Sequence, residues 1–466
     1  MLKFQFRRSG GSIFVPLCAL LWLNFFMAAQ PNILWIVTTQ WRGQATGYAG
    51  DPNARTPWLD GLASESVNYM QAVTPHPMGP QARAALLTGR LCPENGVSDY
   101  WDPLPVYQPE KDAALHPGFE GQGGRSAAGS PRLQLGRTVA HALRDRGYAT
   151  AFFGKWHLAE RDRTAPFVGE AHAKMIVPPA RRGGFDLWEG FEGGFLLNDP
   201  WLHGTRLPAP KHFKGYQADV LVQRAAEWLS HAGLIAQGKP YFCVVSLEAP
   251  HPPYHAPAPH VAERKPAEIE LRANVPLGRT EEKVAREELA GYYAHIEATD
   301  RAIGKLLTEI DLKETAIVFT SVHGDMHGSH GVFRKAWPYE ESIRVPLLVR
   351  WPGGKTPNAK DQTPNNARQE PVSLVDLPHM AVAWAEGREW HCKRDSASIS
   401  MPTATTIPLQ CARAWRGFRT AQHKLVVNTD GTPWMYFDLA RDPLEMKNLA
   451  DEPGRQDEIN KMKALM

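Results

Sequence analysis

Four apolar runs in this chain end abruptly, each at a cluster of polar or glycine residues. "NILWIVT" stops at Thr39, Gln40 and Arg42, and "YATAFF" at Gly154, Lys155, Trp156 and His157. "YFCVVSL" leads into Pro250, His251 and Pro252, and "AIVFTS" into Val322, His323, Gly324 and Asp325. Runs of this length, β-branched or aromatic and without alternation, suit strands buried on both faces, as in a parallel sheet. Helical patterns lie between them: "TVAHALRDRG", stopped by Gly147, and "DVLVQRAAEWLSHAG", with Leu221, Ala225, Trp228 and Leu229 on one face. The expectation is an α/β fold, a large mixed, mostly parallel sheet flanked by helices. Ligands of such sheets bind outside the carboxyl ends of the strands. Lys155, His157, His251 and His323 are therefore expected to converge there.

With 466 residues, 43% of them hydrophobic, the chain can bury one large core and a smaller satellite domain. Basic and acidic residues number 52 and 49, a net +3 with no long basic run. Nucleic acid is therefore not an expected partner, and any anion selectivity has to come from local placement of Arg, Lys and His. Lys3, Arg7 and Arg8 precede the apolar run "IFVPLCALLWLNFFMAA", with Ala28 and Ala29 at its end. This reads as an export signal over residues 1–29, giving a secreted or periplasmic protein without a stable membrane span once cleaved; the alternative is an uncleaved membrane anchor, against which the run is short and interrupted by Pro16 and Asn24. Of five cysteines, Cys92, Cys243, Cys392 and Cys411 follow that segment. Cys392 and Cys411 are candidates for a pair in an oxidising compartment.

The Gly/Pro/Ser-rich stretch from Tyr107 to Pro131 reads as a surface excursion, and "GGKTPNAKDQTPNNARQ" as the loop that closes the main domain. An α/β domain over 31–385 is expected, then a C-terminal subdomain over 386–466. In the latter, two strand-like runs flank a hairpin turn at Asp430-Gly431, and "DEINKMKALM" reads as a terminal helix.

The stretch "HPMGPQARAALLTGR" runs from a Pro/Gly loop into an Ala/Leu helix with Arg83 near its start. A helix N-terminus of this kind suits sulfate, phosphate or carboxylate. Each candidate residue also has a plainer role: Arg83 as a local cap, Lys155 and His157 as solvated loop residues, His251 as a turn residue, Lys335 as a partner of Glu340 or Glu341. His323, His327 and His330 have spacings of four and three, which on a helix would present zinc ligands, but Gly324, Gly328 and Gly331 interrupt the stretch.

Several of these segments, in this order, resemble the type I sulfatases of the alkaline phosphatase superfamily. "PNILWIVTTQWRGQATGYAGDPNARTPWLDGLASESVNYMQAV" looks like the family opening, "ARAALLTGR" like its nucleophile helix and "GKWHL" like its Lys/His element. "SLEAPHPPYHAP" and "HGDMHGSHGVFRKAWPYEESIRVPLLVRWPG" resemble the later elements, and "DLARDPLEMKNLA" the C-terminal signature. The resemblance implies sulfuric ester hydrolysis by a formylglycine made from Cys or Ser, with a calcium ion held by aspartates. It puts the nucleophile position at Gly79, where no side chain exists. It puts the calcium positions at Thr39, Gln40, Val322 and His323, where both expected aspartates are missing. Calcium wants six to eight oxygen ligands, so none or weak binding is expected.

What the resemblance retains is Arg83, Lys155, His157, His251 and Lys335, the family's sulfate-handling positions. The leading expectation is a catalytically impaired sulfatase-family protein that keeps a cationic pocket for sulfate, a sulfated small molecule or a glycan. The alternative is an active sulfate or phosphate ester hydrolase with an unorthodox nucleophile, such as Thr39 or a bound water.

Overall fold

The computed structural model describes residues 30–109, 135–230, 238–354, 367–464 and 466. The expected export signal, most of the Tyr107–Pro131 stretch and the greater part of "GGKTPNAKDQTPNNARQ" lie outside them. Among the described residues no helix is long and apolar enough to cross a membrane.

The four apolar runs become β1 (Asn32–Thr38), β3 (Ala149–Lys155), β7 (Tyr241–Ser246) and β8 (Thr315–Ser321). With β4 (Leu187–Phe191) they lie side by side as β8-β1-β7-β3-β4, every neighbour parallel. Shorter strands extend both edges: β5 (Trp201–Gly204) and β6 (Lys211–His212) beyond β4, and β9 (Leu347–Arg350), β2 (Val67–Tyr69) and β10 (Ala367–Arg368) beyond β8. The pairs β4–β5, β5–β6, β8–β9 and β2–β9 are antiparallel, so the ten-stranded sheet is mixed.

The lack of alternation in β1 follows from its packing. Leu34 and Ile36 face one core with Leu59, Leu221, Ile296 and Ile303, which belong to the helices Pro57–Ser64, Gln217–Leu229 and Thr280–Thr308. Ile33, Trp35 and Val37 face the other with Leu86, Leu143 and Leu377, from the helices Gly79–Thr88, Val139–Arg144 and Asp376–Ala385. Each such side chain, taken fully out of water, contributes roughly 1.5–3 kcal/mol. Pairing of β3 with β7 depends on Gly154, at φ 107°: a Cβ there would lie 2.1 Å from the Ser246 carbonyl oxygen.

A second, antiparallel sheet consists of β11 (Ser396–Met401), β12 (Trp415–Thr420), β13 (His423–Val427) and β14 (Pro433–Asp438), in that order. The expected hairpin is β13–β14, turning at Gly431 with φ 84°, and the helix Gln456–Lys463 follows. The suggested Cys392–Cys411 pair does not form: Cys92, Cys243, Cys392 and Cys411 are all free. Cys411 sits in a core shared with Met78 and Trp415, whereas Cys392 packs on the separate cluster around Trp384.

The small sheet is docked onto the large one. Ala397, Ile399, Trp415 and Phe437 share a core with Val73, Met78 and Ile343. Below it lies a buried ionic knot: Arg419 donates to Glu340 Oε2 at 2.9 Å, Lys424 lies 3.3 Å from Glu340 Oε1 and also pairs with Glu445, and Arg272 pairs with Glu341 at 3.0 Å. Burial opposes ionisation of Glu340, but Arg419 and Lys424 win and hold its carboxyl well below the usual range. Removing one member strands the others in a dry interior. Glu340→Ala should therefore cost about 3–5 kcal/mol in urea unfolding at neutral pH. Because the folded pKa is depressed, this contribution is present above roughly pH 4.3 and is lost as pH falls below it, so the gap between wild type and variant should narrow in acid.

Candidate active site at the carboxyl ends of the strands

The strand ends deliver most of the expected residues to one place. A cavity of about 240 Å³ is lined by Thr39 and Gln40 after β1, Lys155 and His157 at and after the end of β3, His251 after β7, His323 after β8, Gly79 and Lys335. Arg83 and Val322 are not part of that lining. Val322 is fully buried in the hydrophobic core.

Arg83 lies beneath the floor, 3% exposed. Its Nη2 donates to Thr39 Oγ1 at 2.7 Å; Nη1 donates to Ser246 Oγ at 2.6 Å and to the Lys155 carbonyl at 3.1 Å. It is neither a surface cap nor a group facing a ligand: it ties the ends of β1, β3 and β7 together. Burial lowers its pKa to about 10, opposed by Glu248 and Glu192, so it stays cationic at neutral pH.

Gly79 is the first residue of the Gly79–Thr88 helix, whose N-terminus has no side-chain cap. The space that a side chain would occupy is taken by His157. A Cβ built on Gly79 would lie 2.8 Å from His157 Nδ1 and 3.1 Å from Cε1. That Nδ1 has no hydrogen-bond partner, while Nε2 is 3.3 Å from the Tyr100 hydroxyl.

Lys155 and Lys335 supply the cationic character. The Lys155 ammonium donates to Glu248 Oε1 and lies 4.7 Å from the Phe195 ring centroid. Burial lowers its pKa to about 8, with Glu248 opposing and Arg83 adding to the shift. The Lys335 ammonium donates to Gln40 Oε1 at 2.6 Å and to His251 Nε2 at 3.2 Å, and burial with Lys155 nearby lowers its pKa to about 7. Lys335 does not pair with Glu340 or Glu341, which serve the ionic knot instead. Burial holds His157, His251 and His323 neutral at physiological pH, and the neighbouring lysines reinforce this. His251 and His323 direct Nδ1–H to the Pro252 and Gly324 carbonyls at 2.8 and 2.9 Å, leaving each Nε2 as an acceptor. For His323 that Nε2 has no partner.

Glu248 is a site residue that the motifs did not reveal. It is fully buried, pairs with Lys155, and lies 3.8 Å from His251 Nδ1. The signal was an acid directly after a strand-like run and three residues before His251. Asp325 is the second unforeseen counter-charge: it accepts from Tyr254 at 2.6 Å and from Gln40 Nε2. The helical zinc reading of the histidines fails. His327 is packed between Tyr254 and Tyr292, His330 stacks on Tyr339 at 4.0 Å, and the three rings do not meet. Gln40, His157, Phe195, Arg334 and Ala336, all at or beside the cavity, have positive φ between 53° and 68°. Non-glycine residues there store roughly 1–3 kcal/mol each and persist only where the surroundings enforce them.

The residues present do not fit calcium. The Thr39 hydroxyl donates to the Leu247 carbonyl at 3.0 Å and accepts from a guanidinium; Gln40 Oε1 accepts from an ammonium; Val322 offers nothing. Asp325 lies behind Gln40 with its lone pairs engaged.

The contact between residues 79 and 157 yields a test. Gly79→Ala should destabilise the fold by about 1–3 kcal/mol, as overpacking does. His157→Gly in the same chain should abolish that penalty, read as a coupling in a double-mutant cycle by urea melts. Additive effects would mean that the ring does not press on residue 79.

Comparison with known proteins identifies the family. The sulfatase family model matches residues 31–387. An ulvan-active sulfatase of Formosa agariphila is 33% identical over 444 residues, covering 91% of this chain and 78% of that protein. An arylsulfatase of Clostridium perfringens is 24% identical, covering 94% of each chain. Among solved structures, one from glycosaminoglycan metabolism in Bacteroides thetaiotaomicron superposes with a TM-score of 0.72 at 20% identity, covering 94% of this chain and 96% of that one. Another, solved with its substrate D-glucosamine-2-N,6-O-disulfate, gives 0.67 at 19% identity over 94% and 96% of the two chains. With the family model spanning most of its length and a relative above 30% identity, the chain belongs to the sulfatase family.

Proposed function

We propose that this sulfatase-family chain is an exported oxyanion-binding protein whose formylglycine chemistry is lost. The observation that carries the reading is at residue 79: glycine offers no atom to oxidise, and the His157 imidazole fills the space beside it. The remaining polar groups favour binding over bond-making. Lys155 and Lys335 face the cavity as donors, and His323 Nε2 is an open acceptor for a protonated oxygen. Thr39 is a poor replacement nucleophile, because its proton goes to the Leu247 carbonyl and its oxygen accepts from Arg83. No base takes that proton. A sulfated glycan is the favoured ligand class, supported by the ulvan and disulfated glucosamine named for the relatives.

Purified protein should not release sulfate from an aryl sulfate, with or without calcium; turnover above a heat-killed control ends the proposal. Inorganic sulfate should raise the melting temperature relative to chloride at matched ionic strength. A ligand that binds only the native state adds about 2.7 kcal/mol at a hundredfold excess over Kd. Because burial lowers Lys335 to about 7 and Lys155 to about 8, both lose charge as pH rises across that range, and sulfate affinity should fall with them. Calorimetry between pH 6.5 and 9.5 reads this directly. An affinity flat across that window would remove both lysines from the ligand's charge partners.

A further inference from the structure

We propose that the Lys335 ammonium takes the place of the divalent cation in this pocket, so that anion recognition runs on a built-in organic cation. The inference rests on the oxyanion reading above and names the group that would carry it. Gln40 and His323 remain at the positions implied for calcium; His323 Nε2 has no partner, whereas the Gln40 oxygen serves an ammonium. Gln40 Oε1 accepts from Lys335 Nζ at 2.6 Å, shorter than an ordinary N–H···O contact and typical of a charged donor. The other end of the same amide is fixed, since Nε2 donates to the Asp325 carboxylate and to the Tyr254 hydroxyl at 3.3 Å. The amide cannot turn without placing its oxygen against that carboxylate.

Asp325 thus acts through Gln40, orienting the carbonyl toward the ammonium while contributing its negative charge from behind. Three further observations agree. His251 Nε2 takes a second hydrogen of the ammonium at 3.2 Å, and its tautomer is fixed by the Pro252 carbonyl. The residues flanking Lys335, Arg334 and Ala336, have φ of 64° and 68°, so the backbone is held in a rare conformation around it. The Arg334 side chain is engaged elsewhere, with Glu288 at 2.7 Å through both terminal nitrogens. An ammonium has three hydrogens. Gln40 and His251 account for two, and Lys335 faces the cavity, which leaves the third for an oxyanion. Thr39 cannot restore a metal shell, because its oxygen already serves Arg83. Gln40, His251 and Asp325 are positioning residues in this account.

The test uses the full chain. Sulfate binding by calorimetry should be unchanged by EDTA and by added calcium, and calcium alone should give no heat. Lys335→Met, which keeps length without charge, should weaken sulfate about ten- to hundredfold, the loss expected for one hydrogen bond to a charged group. Lys335→Ala should recover sulfate binding when propylammonium is supplied, which a general folding defect would not do. Sulfate affinity that depends on calcium overturns the proposal and leaves the oxyanion pocket standing; so does a Lys335→Met variant that binds sulfate like wild type. If wild type binds no sulfate at all, the oxyanion reading falls. The cation assignment is then decided on the unliganded fold: propylammonium that raises the melting temperature of Lys335→Ala but not of wild type upholds it, and no difference between the two overturns it.

Discussion

One guanidinium joins the carboxyl ends of three parallel strands. Arg83 reaches from the Gly79–Thr88 helix to Thr39 after β1, to the Lys155 carbonyl at the end of β3 and to Ser246 at the end of β7. The planar fork of arginine suits this, because several donors leave one rigid group at fixed angles. A cation placed so deep requires opposing charge, and Glu248 and Glu192 provide it. Glu248 also accepts from Lys155. The position of the cavity, the engagement of the Thr39 hydroxyl and the burial of an acid in the wall therefore share one cause.

On the proposed reading, charge balance bears on how the pocket tolerates the absence of a metal. By resemblance, the family site contains a divalent cation and aspartates at the positions of Thr39 and Val322. Removing the ion together with two carboxylates changes the net charge by nothing, whereas removing either alone would leave about two uncompensated charges in a dry interior, a severe penalty. Of the cations that line the cavity, Lys155 and Lys335 are then offset by Glu248 and Asp325, and Arg334 by Glu288. Such internal neutralisation tempers the anion affinity that a bare count of lysines and histidines suggests. The three histidines add none of their own while they stay neutral.

The sheet was legible because its strands are buried on both faces, which removes alternation from "NILWIVT" and "AIVFTS" and leaves continuous apolar runs. The strand-end residues were legible for the same reason, since polarity resumes where the sheet stops. Less could be read where tertiary context overrides local pattern. The 29-residue helix Thr280–Thr308 is amphipathic, but the many polar residues among its buried positions, such as His295, Thr299 and Asp300, blur its apolar face. β11 alternates strictly between half-buried and buried residues, yet its Ser-rich sequence "SASISM" lacks the bulk of a core strand. Arg83 was assigned to the ligand side because motif position says nothing about depth. Glu248 escaped notice because its meaning lies in a partner 93 residues away.

The small sheet closes the argument about what the site can still do. It is joined to the loop that precedes Gly79: Ser400 N–H donates to the Pro75 carbonyl at 2.8 Å, the His76 Nδ1–H donates to the Ser400 carbonyl at 3.1 Å, and Met78 packs among Ile399 and Trp415. Ile407, Pro408 and Gln410 from the same region form part of the cavity wall. The loop is thus held from both sides, by β11 and by the Gly79–Thr88 helix, where residue 79 carries no side chain. Catalysis requires contacts that strengthen only in the transition state. Here His251 is tied to Lys335, Lys335 to Gln40 and Lys155 to Glu248, which on the proposed reading leaves these groups for binding rather than for a transition state. Donors partly engaged before the ligand arrives gain less from charge that develops during a reaction. The ammonium hydrogens of Lys155 and Lys335 not already taken are the donors that ground-state recognition would use on the proposed reading.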